Sequence, residues 1–315
     1  MDRRKALIFA GVAATTGSSM LLAGCGGSDD PAPAPAQNIV QLAQATPSLS
    51  ILVEAVVAAD LAGTLSGPGP FTVFAPTNDA FVALLGELGV TKDALLRNKS
   101  LLTAVLTYHV LGVKVEKAGV PLGKAITTLQ KDVFKIEAPN GVLTITDGRN
   151  RTSKIFATDV QASNGVVHII DRVILPANKT IVQTAQEVPV FSILVEAVIA
   201  AGLVPTLSGV GPFTVFAPTD AAFAAALTEL NVTKAQLFAN TALLVKILTY
   251  HVIPARVLKA EIPATPITTV QGDTFTISPT FVITDQRSRT ARITATDVFA
   301  NNGVIHVVDR VILPR

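Results

Sequence analysis

Apolar residues recur along this chain in two styles, first at helical and then at strand spacing, and the change occurs twice. Leu49, Leu52, Val53, Val56 and Val57 share one helix face, which predicts a helix over Ser48 to Ala59. Phe71-Thr72-Val73-Phe74 follows a Gly-Pro turn and is expected as a short strand. Thr77 stands where it caps a helix containing Phe81, Leu84 and Leu85, with Asp79 near its positive end. Leu101 to Tyr108 reads as another apolar helix, ending on a Tyr-His pair. Strand-like runs then dominate: Val133 to Ile136, Val142 to Thr146, Ile155 to Val160, Val166 to Ile170 and Val173 to Leu175. Asn140-Gly141 is a hairpin turn between the first two. Helices first and strands later predict an α+β fold.

The second passage repeats the first. "NIVQLAQ" from Asn38 pairs with "TIVQTAQ" from Thr180, and "SILVEAV" begins at both Ser50 and Ser192. "GPFTVFAPTNDAF" from Gly69 matches "GPFTVFAPTDAAF" from Gly211, and "LTYHV" occurs at Leu106 and Leu248. "GVVHIIDRVILP" from Gly165 returns as "GVIHVVDRVILP" from Gly303, differing only by Val/Ile exchanges. Between them "EAPNGVL" shrinks to "SPTFV", as a shortened hairpin turn would. Thr233 and Gln236 have capping-box spacing, so another helix opens there. The copies span 38–176 and 180–315. Only Ala177-Asn178-Lys179 separates them, so the domains are expected to touch rather than swing freely.

The start of the chain reads differently. Arg3-Arg4-Lys5 precedes a weakly apolar stretch, too short and too polar for a permanent membrane helix. That stretch ends in Leu22-Ala23-Gly24-Cys25, which resembles the lipobox of bacterial lipoproteins. The resemblance implies a signal peptide over 1–24, cleavage before Cys25, and lipid on that residue. Residues 25–37 contain "GGSDDPAPAPAQ", whose alternating prolines favour extended backbone. Such a tether reaches about 35–40 Å. The formal charge of +2 comes from the basic start, and beyond it basic and acidic side chains balance. A neutral body offers a polyanion no long-range field, so no nucleic-acid partner is expected. Cys25 is the sole cysteine, so the body has no disulfide or thiol chemistry.

"FTVFAPTNDAF", "LTYHV" and "NGVVHIIDRVILP" resemble, in this order, the signature segments of the fasciclin-like domain, and both copies carry all three. The resemblance implies two tandem domains, each a β-wedge or sandwich flanked by helices. It further implies an extracellular or membrane-anchored protein engaged in adhesion or matrix contact. Short Asp-Ile motifs, proposed as contact sites in relatives, correspond to Asp159-Val160 and Asp297-Val298, with Val in place of Ile. The family's Tyr-His segment corresponds to Tyr108-His109 and Tyr250-His251, which hold the only tyrosines.

Each candidate has a plainer reading. The Tyr-His histidines can pin the helix-to-strand crossover through a backbone hydrogen bond. His168 and His306 share a strand face with Val166, Ile170, Val304 and Val308, so core or sheet-edge positions are expected. Asp171-Arg172 and Asp309-Arg310 are adjacent in an expected strand and point to opposite faces, with the Asp holding a turn or helix end. A sharper candidate is the pair of turns carrying Arg149 and Arg151, and Arg287 and Arg289. Two arginines on such a turn suit bidentate contacts to carboxylates or sulfates of a glycan, unless the turn is merely solvated. Each copy has two histidines and no cysteine, so no metal site is expected, and no cofactor is implied. There is no Gly-x-Ser-x-Gly elbow, cysteine nucleophile or phosphate-cradling loop, which argues against an enzyme.

The leading expectation is a lipid-anchored adhesion or matrix/glycan-binding protein, facing cell-wall glycan, extracellular matrix or envelope proteins. Its place would be the outer membrane, the cell surface or the periplasmic face. A carrier of a small apolar ligand and a structural envelope spacer are the alternatives. "GVVHIIDRVILP" reads as the scaffold's last strands, and binding is expected on the loops beside it.

Overall fold

A computed structural model describes residues 36–315, which form one compact unit. The signal peptide, Cys25 and nearly all of the tether lie outside the described residues. In the first domain the helices are α1 (Ile39–Gln44), α2 (Ser50–Ala58), α3 (Ala62–Ser66), α4 (Asn78–Leu88), α5 (Lys92–Arg97) and α6 (Lys99–Tyr108). The strands are β1 (Phe71–Pro76), β2 (Val110–Leu111), β3 (Ile126–Thr127), β4 (Val133–Glu137), β5 (Thr144–Thr146), β6 (Thr152–Ala162) and β7 (Gly165–Ile170). The helix starts follow from their caps. Asn38 and Gln41 close a capping box on α1, and the Thr77 hydroxyl accepts the Ala80 N–H at the start of α4.

The seven strands form one sheet in the order β2-β1-β7-β6-β5-β4-β3, parallel only between β1 and β7. Apart from Thr72, whose buried hydroxyl bonds the backbone of Val113 and Val115, residues of β1 are apolar on both faces because both are covered. Val73 and Ala75 pack with Phe81, Leu102 and Leu106 under the helices, whereas Phe74 points to Tyr108, Phe134, Ile136 and Ile145. Each domain therefore has a helical core and a β-core, with β1 and β7 between them. The long strand β6 serves both by losing register twice, between Ile155 and Ala157 and between Ala157 and Val160. Such bulges bend a strand and increase its twist. Here they carry the sheet from one core to the other.

The second domain repeats this plan with α7 (Ile181–Gln186), α8 (Ser192–Ala200), α9 (Val204–Leu207), α10 (Asp220–Glu229), α11 (Lys234–Ala239) and α12 (Thr241–Tyr250). Its strands are β8 (Phe213–Pro218), β9 (Val252–Ile253), β10 (Ile267–Thr268), β11 (Thr274–Ile277), β12 (Val282–Thr284), β13 (Thr290–Ala300) and β14 (Gly303–Val308). They are ordered β9-β8-β14-β13-β12-β11-β10, again with seven strands and one parallel pair. The capping box expected at Thr233 and Gln236 is present at the start of α11. The domains touch directly: Val133 of one and Leu258, Phe299 and Val304 of the other are buried together.

Four expectations need correction. The helix expected from Ser48 begins as a 3-10 turn, Pro47–Leu49, since proline fixes the first residues and α2 starts after them. β5 is shorter than its apolar run, because Asn140 and Gly141 both take left-handed conformations and the chain rejoins the ladder only at Thr144. Val173 to Leu175 forms no strand at all, though all three side chains are buried. Asp171 and Arg172 also lie just past the end of β7 rather than within it.

One polar residue in the β6–β7 turn explains how the helices are fastened to the sheet. Asn164 accepts the Ile39 N–H at the start of α1 and donates to the carbonyls of Leu65 and Gly67 at the end of α3. Asn302 makes the same set of bonds to Ile181, Leu207 and Gly209. Both helix ends thus receive partners that no strand supplies.

Candidate functional site

The buried segment after β7 carries backbone groups without a ladder, and the histidine of the Tyr-His pair and the two turn arginines bond to it. The His109 ring accepts the Ile174 N–H through Nε2 (3.1 Å), while Nδ1 lies 2.7 Å from the Val105 carbonyl. That pair of bonds requires the neutral ring with its proton on Nδ1. Burial holds the His109 pKa down at about 4. Asp147 is fully buried: its Oδ2 accepts the Leu175 N–H, and its Oδ1 accepts the N–H groups of Arg149 and Arg151. Arg151 completes the strap, bonding Asp147 Oδ2 (2.8 Å), the Val173 carbonyl (2.7 Å) and Glu87 (2.6 Å). Arg149 reaches the Pro176 carbonyl at 3.4 Å. Buried backbone that lacks a ladder must find other partners, and side chains supply them here.

The second domain repeats the strap. Ile312 donates to His251 and Leu313 to Asp285, while Arg289 holds the Val311 carbonyl and Glu229. Arg287 reaches the Pro314 carbonyl at 3.0 Å. The expectation of two outward arginines on each turn is therefore corrected: Arg151 and Arg289 face inward. Tyr108 is equally committed, donating to the Val133 carbonyl (2.7 Å) and accepting the Gly148 N–H (2.8 Å). Tyr250 donates to the Thr274 carbonyl. Burial raises both phenols, Tyr108 well above 10 and Tyr250 to about 12. The Tyr-His pairs pin the helix-to-strand crossover.

Gly148 shows what the strap demands locally. A Cβ there would lie 2.3 Å from the backbone nitrogen of Ala177, where the chain leaves the first domain. Its counterpart Gln286 instead extends a side chain, whose amide donates to the Thr274 carbonyl.

The Asp-Val motifs occupy the second bulge of β6 and β13. Asp159 and Asp297 both have φ of 61°. Each aspartate donates its N–H to a histidine of the next strand, His168 (3.3 Å) or His306 (3.2 Å). Each carboxylate accepts a backbone N–H, from Lys117 or Lys259, at 2.8 Å. His168 and His306 are buried mid-sheet rather than at an edge and bond the Val115 and Val257 carbonyls through Nε2. Burial keeps the His306 pKa low. Val160 and Val298 pack against the helical cores of their own domains.

Here the copies part. Asp159 stays half-buried, whereas Asp297 is sealed under the first domain and paired with Lys135 at 2.9 Å, with side-chain exposures of 1% and 8%. Around this ion pair, Asn150 donates to the Phe299 carbonyl (3.1 Å) and accepts the Phe299 N–H (2.6 Å), as a neighbouring strand would. The Ala125 N–H donates to Glu261, and Arg256 approaches Asp132 at 3.9 Å. Sequence reasoning missed this junction, although its signal was present. Leu258 and Phe299 stand where the first copy has Glu116 and Gln161, and Lys135 stands where the second has Thr276. Apolar exchanges at otherwise polar, surface-facing positions mark a face that is covered in only one copy.

Among the described residues no group of three or more His, Cys, Asp or Glu side chains is placed to hold a metal ion. No helix among them is long and apolar enough to cross a membrane.

Two seven-stranded sheets, each clasped by helices through the same motifs, define a duplicated fasciclin-domain architecture. The fasciclin domain family matches residues 47–176 and again 189–314, and the chain belongs to that family. Protein sll1483 of Synechocystis sp. is 44% identical over 145 residues, covering 45% of this chain and 74% of its own length. Transforming growth factor-beta-induced protein ig-h3 of Oryctolagus cuniculus is 32% identical over 263 residues. That match covers 79% of this chain but only 35% of the rabbit protein. Among solved structures, a FAS1 domain pair from the insect cell adhesion molecule Fasciclin I is 18% identical. It covers 84% of this chain and 97% of its own, with a TM-score of 0.43.

Two predictions follow the geometry. An unfolded histidine takes up a proton near pH 6.5, whereas His109 and His251 resist protonation down to about 4. Between those values the unfolded state binds more protons, so stability falls as pH falls, by roughly 3 kcal/mol for each ring. Urea midpoints measured from pH 7 to 4 should show this slope, and a His109→Gln/His251→Gln variant should make it shallower, with His306 still contributing. Separately, Lys135→Met leaves Asp297 buried without its cation, at a cost of about 3–5 kcal/mol. Calorimetry should then resolve two domain transitions, where the parent chain shows one.

Proposed function

We propose that this chain is a lipid-anchored extracytoplasmic adhesion protein that binds glycan or protein of the cell wall, matrix or envelope through its paired fasciclin domains. The observation that carries this reading is the sealed junction. Lys135, Asp297, Asn150 and Phe299 fix the two domains as one body, so their outer surfaces have a constant spacing. A partner with repeated units, such as a polysaccharide, meets both domains at once. The second contact then forms at high effective concentration, which strengthens weak binding. The Cys25 signal and the proline-rich tether suit this role by holding the body clear of a membrane surface.

The carrier reading has less support. Each domain has an apolar cavity beneath its first helix, lined by Ile39, Leu52 and Val167 in one and Ile181, Leu194 and Ile305 in the other. Each holds about 30 Å³, room for a single water-sized group. A pigment-sized ligand would need the helices to part.

Two measurements test the proposal together. Cell fractionation should find the parent chain with membranes and a Cys25→Ala variant released from them. The full chain, immobilised, should retain envelope polysaccharide from detergent-washed cell walls. Membrane retention of the variant would contradict the anchor, and failure to retain any envelope material would contradict adhesion.

A further inference from the structure

We infer that the groove beside Phe281 in the second domain is a binding site for a uronate-bearing polysaccharide; this rests on the glycan-binding reading above and gives it a location. The groove, with an open volume of about 450 Å³, lies between the turn at Lys259 and the hairpin joining β11 to β12. Lys259, Pro263, Thr276, Ser278, Pro279 and Phe281 line it.

Phe281 is the unexpected residue. Ser278 and Val282 bracket a three-residue turn, closed by the Phe281 N–H to the Ser278 carbonyl and the Ser278 N–H to the Val282 carbonyl. The last residue of such a turn takes a left-handed conformation, where glycine or asparagine is ordinarily found. Phe281 occupies it at φ 59°, an outlier for so bulky a residue. Packing does not explain the choice. By strand register its counterpart is Leu143, which is buried in the β-core of the first domain, whereas the Phe281 ring is half-exposed in the groove. Strain kept at a solvent-facing aromatic points to use of the ring itself.

The surroundings match one ligand chemistry. The Lys259 ammonium stands 4.7 Å from the ring centre, and among the described residues it forms no ion pair, Asp297 being taken by Lys135. Phe281, Pro263 and Pro279 offer apolar faces for the C–H side of a pyranose, and the exposed hydroxyl of Thr276 faces the same space. A uronate on the ring brings its carboxylate to Lys259, which exchanges an exposed cation–π contact for a charge-assisted hydrogen bond. The first domain retains the lysine as Lys117 but has no aromatic at this turn, so this groove supplies the second domain's contact only, and the first domain meets the same polysaccharide through other surface.

The test titrates the full chain with a short oligogalacturonate and with a neutral xylo-oligosaccharide of similar length, by calorimetry. The parent chain should prefer the uronate. Phe281→Gly should weaken uronate binding about tenfold or more while the thermal midpoint holds or rises, because glycine is the residue this turn favours. Lys259→Gln should abolish the preference for uronate over the neutral chain. If Phe281→Gly fails to fold, Phe281→Leu carries the same test with the residue type of Leu143. Uronate binding that survives both substitutions overturns the site and leaves the glycan reading standing. Equal binding of the neutral chain overturns the uronate assignment, and a parent chain that binds neither oligosaccharide overturns the site. In that last case, retention of envelope polysaccharide decides separately whether the glycan reading stands.

Discussion

Asp147 accepts hydrogen bonds from Arg149, Arg151 and Leu175 while fully buried, and that arrangement keeps the first domain closed. The segment from Val173 to Pro176 runs through the interior without joining a sheet. Its N–H and carbonyl groups would be stranded in an apolar surrounding without Asp147, His109, Arg151 and Arg149. The residues that satisfy it come from two places in the chain, His109 from the Tyr-His helix end and Asp147, Arg149 and Arg151 from one turn. The Tyr-His helix end, the arginine turn and the final Val-Ile-Leu-Pro run are parts of one device. The same logic repeats around Asp285, so the motifs were duplicated together with the fold.

The two copies kept this device and diverged on their surfaces. Asp159 and Asp297 hold the same bulge with the same bonds, yet only Asp297 is covered and countered by Lys135. A buried ion pair is weak evidence for stability, because desolvation offsets much of its attraction. It is better suited to fixing register between two surfaces, and here it fixes one domain on the other. The apolar Leu258 and Phe299 beside it supply the burial that the pair itself does not. A rigid tandem results, and whatever the outer faces bind is met in constant geometry.

Much of the fold was legible in the sequence. Helical spacing at Leu49 to Val57, the Thr77 cap and the strand runs at Phe71, Val133, Ile155 and Val166 all mark real elements. The strand expected at Val173 to Leu175 fails for an informative reason. A short apolar run reports burial, and burial alone does not distinguish a ladder from a coil fastened by side chains. The arginine turns misled because spacing cannot reveal that Arg151 and Arg289 fold back on the segment they hold. Asn164, Lys135 and Asn150 were invisible for a different reason: their partners are distant in sequence. Only the differences between the copies, Glu116 against Leu258 and Gln161 against Phe299, held a readable trace of the junction.

Hydrogen exchange at the Ile174, Leu175, Ile312 and Leu313 amides tests the strap most directly, because all four lie in segments without secondary structure. Held by His109, Asp147, His251 and Asp285, they should exchange at pH 7 as slowly as the amides of Val167 and Ile305 in the central strands. Exchange at the fast rate of surface loops would contradict the account.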